Sequence, residues 1–267
     1  WVAGPAFAQV GGAIILPNVL VSPTIDNGII LIVDGTAPYD TNWPSPWNVG
    51  GALTVGDVGV GGWEIIEAGL VNNTVGHIGF GVDSTGTATV DGAGSIWTNT
   101  NSLIVGNKGT GTVNIQAGGV VNSAFGFIGV EVGSTGTVTV AGAGSSWTDD
   151  GQLTVGYDGT ATLNIGTGGM VSNTIGYVGR GRYSTGTVTV TGTNSKWTNS
   201  AELYVGMAGT GTLNIKAGGV VSNTVGYVGT NAVSTGTATV TGIGSRWTNS
   251  GDLYVGNWGT GTPNIEA

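Results

Sequence analysis

Two kinds of residue recur at spacings that could carry chemistry. Thr85 and Thr87, Thr110 and Thr112, Thr135 and Thr137, Thr160 and Thr162, Thr185 and Thr187, Thr210 and Thr212, Thr235 and Thr237, and Thr260 and Thr262 form Thr-x-Thr triplets at a constant interval of 25. Trp97, Trp147, Trp197 and Trp247 recur at intervals of 50, each followed by Thr and then Asn or Asp. Stacked at strand spacing, the hydroxyls would form a lattice of about 4.8 Å by about 6.7 Å. Such a surface could order water or ice. The plainer reading is β-propensity with hydroxyl ladders on a solvated sheet. Exposed Trp rings about 9.6 Å apart could stack on sugar rings. Buried, each Trp would fill a wide corner with its N–H on a turn carbonyl, and the size and apolarity of the ring favour this second reading.

Other chemistries lack their residues. The chain of 267 residues has no Cys and one His, His77, which excludes thiolate sites and leaves no His-based metal set. Acidic side chains do not cluster at the offsets of neighbouring turns. Asp91 falls opposite Ile66 and Gln116, Glu202 and Asp252 are two turns apart, and the adjacent Asp149 and Asp150 should splay. No catalytic residue, metal ligand or cofactor site is assigned, and the chain reads as non-enzymatic. A polysaccharide-binding or -degrading β-helix is an alternative reading. The Gly pairs at 118–119, 168–169 and 218–219 lack the Asp of a calcium-binding repeat and read as turns needing positive φ. Gly126, Gly129 and Gly176 precede no helix and form no phosphate loop. His77 occupies the position of Phe127, Tyr177 and Tyr227 in later repeats and reads as a surface or corner substitute. A net charge of −9 opposes nucleic acid as a partner, and no apolar run is long enough for a membrane-spanning helix.

The elements that position these residues follow from the repeat. TGTVTVTG alternates polar and apolar residues, the signature of a strand with one buried face. Val138 and Val140 should point inward, and Thr135, Thr137 and Thr139 outward. Asn-Ser clusters and Gly pairs read as turns. Each turn offers three short strands: 110–115, 120–122 and 126–129, then 135–140, 146–148 and 152–155. A unit this short cannot close its own core, but stacked copies can. The expected fold is all-β, a parallel and right-handed β-helix or solenoid, with one period of 25 per turn and a two-turn repeat of 50. Val113, Val138, Leu163, Val188, Leu213 and Ala238 should form one core column, and Ile115, Val140, Ile165, Val190, Ile215 and Val240 another. Val105, Ile128 and Val155 are spaced by 23 and then 27, which suggests small insertions at one corner, in the turn that carries Trp. A β-propeller is disfavoured because a blade needs four strands.

The ends differ from the middle. Residues 1–8 read as the remnant of a secretion signal, with Ala6 and Ala8 at the small positions of a cleavage site. Residues 9–52 read as atypical capping turns; Trp47, in a Pro- and Trp-rich loop at 36–48, falls in register with the later Trp series. Residues 53–267 form the repetitive solenoid and stop within a repeat, suggesting a longer array.

The unit GTGTLNIxAGGxVSNTxGYVG…STGTVTVTGxGSxWTNSxxLYVG resembles the repeat of type V secretion (autotransporter) passengers and PEP-CTERM surface proteins of Gram-negative bacteria. The resemblance covers roughly residues 50–267, and its AGG, STGTVTV and GSxWTNS blocks carry it. It implies a secreted or outer-surface passenger with a structural, adhesin-like or biofilm role. The implied partners are host or matrix glycans or proteins, or other copies of the chain. A lattice of Thr-x-Thr also resembles the ice-binding face of antifreeze solenoids. The third outward column alternates Thr139 and Thr189 with Asn114, Asn164 and Asn214, which breaks strict regularity.

Overall fold

The computed structural model describes residues 8–10, 13–15, 24–25, 29–34 and 43–266. Of the segment 1–8, on which the secretion-signal reading rests, residues 1–7 lie outside them, as does much of 9–52.

Apart from an antiparallel pair formed by Ala8–Val10 and Ala13–Ile15, the described chain is a parallel β-solenoid without helix, with one period of the sequence in each turn. Every rung begins with a strand such as Thr110–Gln116 or Thr135–Ala141. These pair in parallel and in register: Thr110 with Thr135, Val113 with Val138, Ile115 with Val140. The same register runs from Val60–Ile66 to Thr260–Glu266. The rest of each turn forms a second sheet with two strand positions. One contains the Trp row and the other the Leu-x-Val series, as in Ser146–Asp149 and Gln152–Val155. In two turns these two positions merge into continuous strands, Ile96–Val105 and Val120–Ile128.

Alternation decides which side chains enter the core. Val113, Val138, Leu163, Val188 and Leu213 are fully buried, as are Ile115, Val140, Ile165, Val190 and Ile215. The columns therefore run as their spacing predicts, with Ala238 buried at the end of the first and Val240 only partly buried in the second. At its other end the first column starts with Trp63 beside Ala88. The Trp63 ring lies edge-on between Trp47 and Trp97, with centroids 6.2 and 4.6 Å away. Ala88 leaves the width that this indole needs.

Corners keep the ladder intact. Gly106, Gly129 and Gly156 donate their N–H to Ile78, Val105 and Ile128 carbonyls at 2.7, 2.9 and 2.8 Å. Gly106 has φ +72°, and a Cβ there would lie 2.6 Å from the carbonyl carbon of Thr135 on the next rung. Both backbone conformation and space thus require Gly after Val at this corner.

The wide turn is not widened at one corner. Ile115 pairs with Val140 and Val121 with Trp147, so the first corner gains one residue in the Trp turn. Gly126 pairs with Leu153, which adds one more at the second. The third corner, from Ile128 to Gly136, is longer by two than its counterpart from Val155 to Ala161, and this restores the common period.

Candidate functional site

All of the predicted Thr residues come together. Thr85, Thr110, Thr135, Thr160, Thr185, Thr210, Thr235 and Thr260 are successive register partners, and so are Thr87, Thr112, Thr137, Thr162, Thr187, Thr212, Thr237 and Thr262. They point outward because the intervening residue and the following Val point in. The first column is exposed from Thr110 onward, and the second is half-buried up to Thr237. Beside them Thr89, Asn114, Thr139, Asn164, Thr189, Asn214 and Thr239 form a third polar column. From the Thr85–Asp91 strand onward these three columns offer hydroxyls and amides without charge, and the third column continues past Thr89 to Glu64.

The Trp row is not a surface platform. Trp97, Trp147 and Trp197 are 0% exposed, and Trp247 packs partly buried at the end of the stack. Each fills a corner emptied by a glycine on the adjoining rung. A Cβ on Gly76 would come 2.5 Å from Asn99 Oδ1 and 2.6 Å from Trp97 Cζ2, and Gly126, Gly176 and Gly226 have the same role for the later Trp residues. The indole N–H does not find a turn carbonyl as expected. It donates to a side chain: Trp97, Trp197 and Trp247 to Oδ1 of Asn73, Asn173 and Asn223, at 2.6, 2.7 and 2.7 Å. Those amides then donate to Oδ1 of Asn99, Asn199 and Asn249 at 2.7, 2.7 and 2.5 Å. The Asn-Ser clusters are thus more than turn residues. Their side chains form a buried polar relay that satisfies the indoles.

One relay differs. Trp147 donates to the Ser123 hydroxyl at 2.9 Å, and Ser123 donates to Asp149 Oδ1. Asp149 is buried and its Oδ2 has no hydrogen-bond partner, whereas Asp150 is exposed, so the two carboxyls splay as expected. Burial pushes the Asp149 carboxyl well above the ordinary carboxylate range; the Ser123 hydroxyl and the Trp147 N–H oppose the shift, and the Asp150 charge adds to it. The folded chain therefore holds this proton more tightly than the unfolded chain. The stability it contributes is complete below the ordinary carboxylate range and is lost as pH rises through the folded-state value. Asp149→Asn should stabilise the rod at neutral pH by about 1–2 kcal/mol. Thermal melting across pH checks this: the advantage of the variant should shrink as pH falls toward about 4.

A second outward column was only half visible in the sequence. His77, Ile104, Phe127, Thr154, Tyr177, Tyr204, Tyr227 and Tyr254 are successive partners. The last four rings stack face to face with centroids 5.1, 4.6 and 5.1 Å apart and planes within 13°. Their faces cover one another, so edges and hydroxyls meet the solvent. The Tyr204 phenol is pushed up to about 12, by burial first and then by its neighbours Tyr227, Glu202 and Tyr177. Tyr204 therefore stays a neutral donor at physiological pH. His77 is half-buried, follows Thr54 in the column, and has its ring edge-on to Phe80 at 4.5 Å. Burial lowers its pKa, against the Asp57 charge, so neutral imidazole is favoured.

Comparison with known proteins gives little beyond this geometry. No family model matches the chain, and no curated protein matches it. Among solved structures, the crystal structure of a TibC-catalyzed hyper-glycosylated TibA55-350 fragment aligns over 93% of this chain and 91% of that one, at 16% identity and a TM-score of 0.39. That distance leaves the functional reading to the chain's own residues.

Among the described residues, no group of three or more His, Cys, Asp or Glu side chains is placed to hold a metal ion. Among them also, no helix is long and apolar enough to cross a membrane.

Proposed function

We propose that the chain is a non-enzymatic, secreted or surface-displayed rod, a passenger of the type V or PEP-CTERM kind, that binds a partner through its outer faces in an adhesin-like role. The observation that carries this reading is the Thr lattice. Eight Thr-x-Thr pairs stay in register without a slip. A rigid, uncharged hydroxyl surface of this length suits an extended neutral partner, which meets many weak, equivalent hydrogen bonds at once. The repeat resemblance supports the surface location.

The test is binding of the purified rod to glycan arrays and whole cells, together with surface labelling of the native producer. Thr112→Lys with Thr237→Lys places charges in the lattice five rungs apart, too far to repel each other strongly. This variant should lose binding while melting as the parent does. Unchanged binding, or absence of the chain from the cell surface, would reject the proposal. Turnover of an acidic polysaccharide in the presence of calcium would reject its non-enzymatic part.

The same lattice favours a second reading, ice binding, because hydroxyl columns at regular spacing on a stiff sheet also match ordered water. Thermal hysteresis measures it directly, and ice growth unaffected by concentrated protein would dispose of it.

A further inference from the structure

The longer form of the third corner carries unlike sequences in a rod that otherwise repeats. It reads Phe80-Gly-Val-Asp, Val130-Glu-Val-Gly, Arg180-Gly-Arg-Tyr and Thr230-Asn-Ala-Val. The Arg180 version gathers two of the chain's six cationic residues beside aromatic rings. The Arg180 guanidinium lies over the Tyr157 ring at 5.1 Å and the Tyr177 ring at 4.8 Å. Tyr157 in turn meets Phe127 edge-on at 6.3 Å. Phe127 and Tyr177 are the two column neighbours of Thr154, so these side chains bridge above it. Thr154 is 0% exposed, and its hydroxyl has no hydrogen-bond partner. Arg180 forms no salt bridge among the described residues, and the Asp158 carboxylate packs against Gly181, the residue between Arg180 and Arg182. Arg182 and Tyr183 stand exposed beside it, Tyr183 at 71%.

We propose that this corner binds the carboxylate of an acidic sugar that ends an otherwise neutral glycan. The two rings hold the guanidinium flat and leave its N–H edges for a bidentate carboxylate. The exposed ring of Tyr183 offers a face for the sugar's C–H side, and Arg182 adds charge at the rim. The rod's net charge of −9 repels dense polyanions, so one isolated carboxylate fits better than a nucleic acid or a heavily sulfated chain. The inference rests on the reading of the chain as a partner-binding rod but uses another face of it.

Titration calorimetry with sialyllactose against lactose tests the site on the full chain. Sialyllactose should bind and lactose should not. Arg180→Gln should weaken binding about tenfold or more. Arg180→Lys should weaken it too, because the planar fork matters as well as the charge. Should Arg180→Gln melt early, the exposed Arg182→Gln replaces it and should lower affinity and its salt dependence. The Thr112→Lys, Thr237→Lys rod should bind sialyllactose as the parent does, so failure here is separable from failure of the Thr face. Equal binding of lactose, no binding of sialyllactose, or tighter binding of heparin or duplex DNA would each overturn the proposal.

Discussion

Val138→Asp will keep the middle of the rod from folding. Val138 is fully buried between Val113 and Leu163 in a column closed on both sides by the same ladder. A carboxylate there meets only aliphatic side chains and has neither a partner nor water. The expected loss exceeds about 4 kcal/mol, the range reserved for buried unpaired charges. In a stacked array the damage also removes the template on which both adjoining rungs pair. Limited proteolysis should therefore cut on both sides of residue 138, and the cooperative melt should broaden or vanish. Thr137→Ser, one residue away and pointing outward, should change stability by no more than about 0.5 kcal/mol. Similar melting of the two variants would refute the inward and outward assignment on which the Thr lattice depends.

Trp197→Ala should be nearly as damaging, by a different route. The ring is 0% exposed and occupies space left by Gly176. Its removal opens a cavity that the stiff rungs cannot close, at a cost of about 3–5 kcal/mol. It also strips Asn173 Oδ1 of its donor at a buried position. Trp197→Phe separates the two effects. It keeps most of the bulk and loses the N–H, so about 1–3 kcal/mol should go. Trp247→Ala should cost less than Trp197→Ala, because Trp247 is only partly buried. Denaturant unfolding of the three variants checks the order. A Trp197→Ala rod as stable as its parent would show that the Trp corner adds nothing to the core.

The fold was legible because a period survives translation into rungs. Thr110 and Thr135 share a column because one period makes one turn, and Val138 turns inward because the neighbours of Thr turn outward. The relay behind the Trp row was not legible. Asn73 and Asn173 lie in Asn-Asn-Thr and Ser-Asn-Thr text that signals turns equally well, and burial of each amide depends on an indole one turn away. The phenol column was hidden for another reason. Tyr177 and Tyr227 stand one two-turn repeat apart and were seen as equivalents, but Tyr204 stands between them at unequal intervals of 27 and 23. An uneven division of the period conceals a ladder that an even one reveals. The Arg180 corner was hidden because it lies where the repetition lapses, and a period marks only the positions that obey it.

The pairing of each indole with a glycine on the adjoining rung limits how such a gene can change in length. Recombination that adds or removes a whole two-turn repeat returns every Trp to a Gly and leaves both outer columns continuous. Removing a single glycine-bearing turn would set two indole-bearing turns against each other, with no vacancy for either ring, and removing an indole-bearing turn would leave two vacancies together. Growth and contraction by unequal crossing-over should therefore proceed in pairs of turns, and the number of Trp residues in the row should serve as a tally of past duplications.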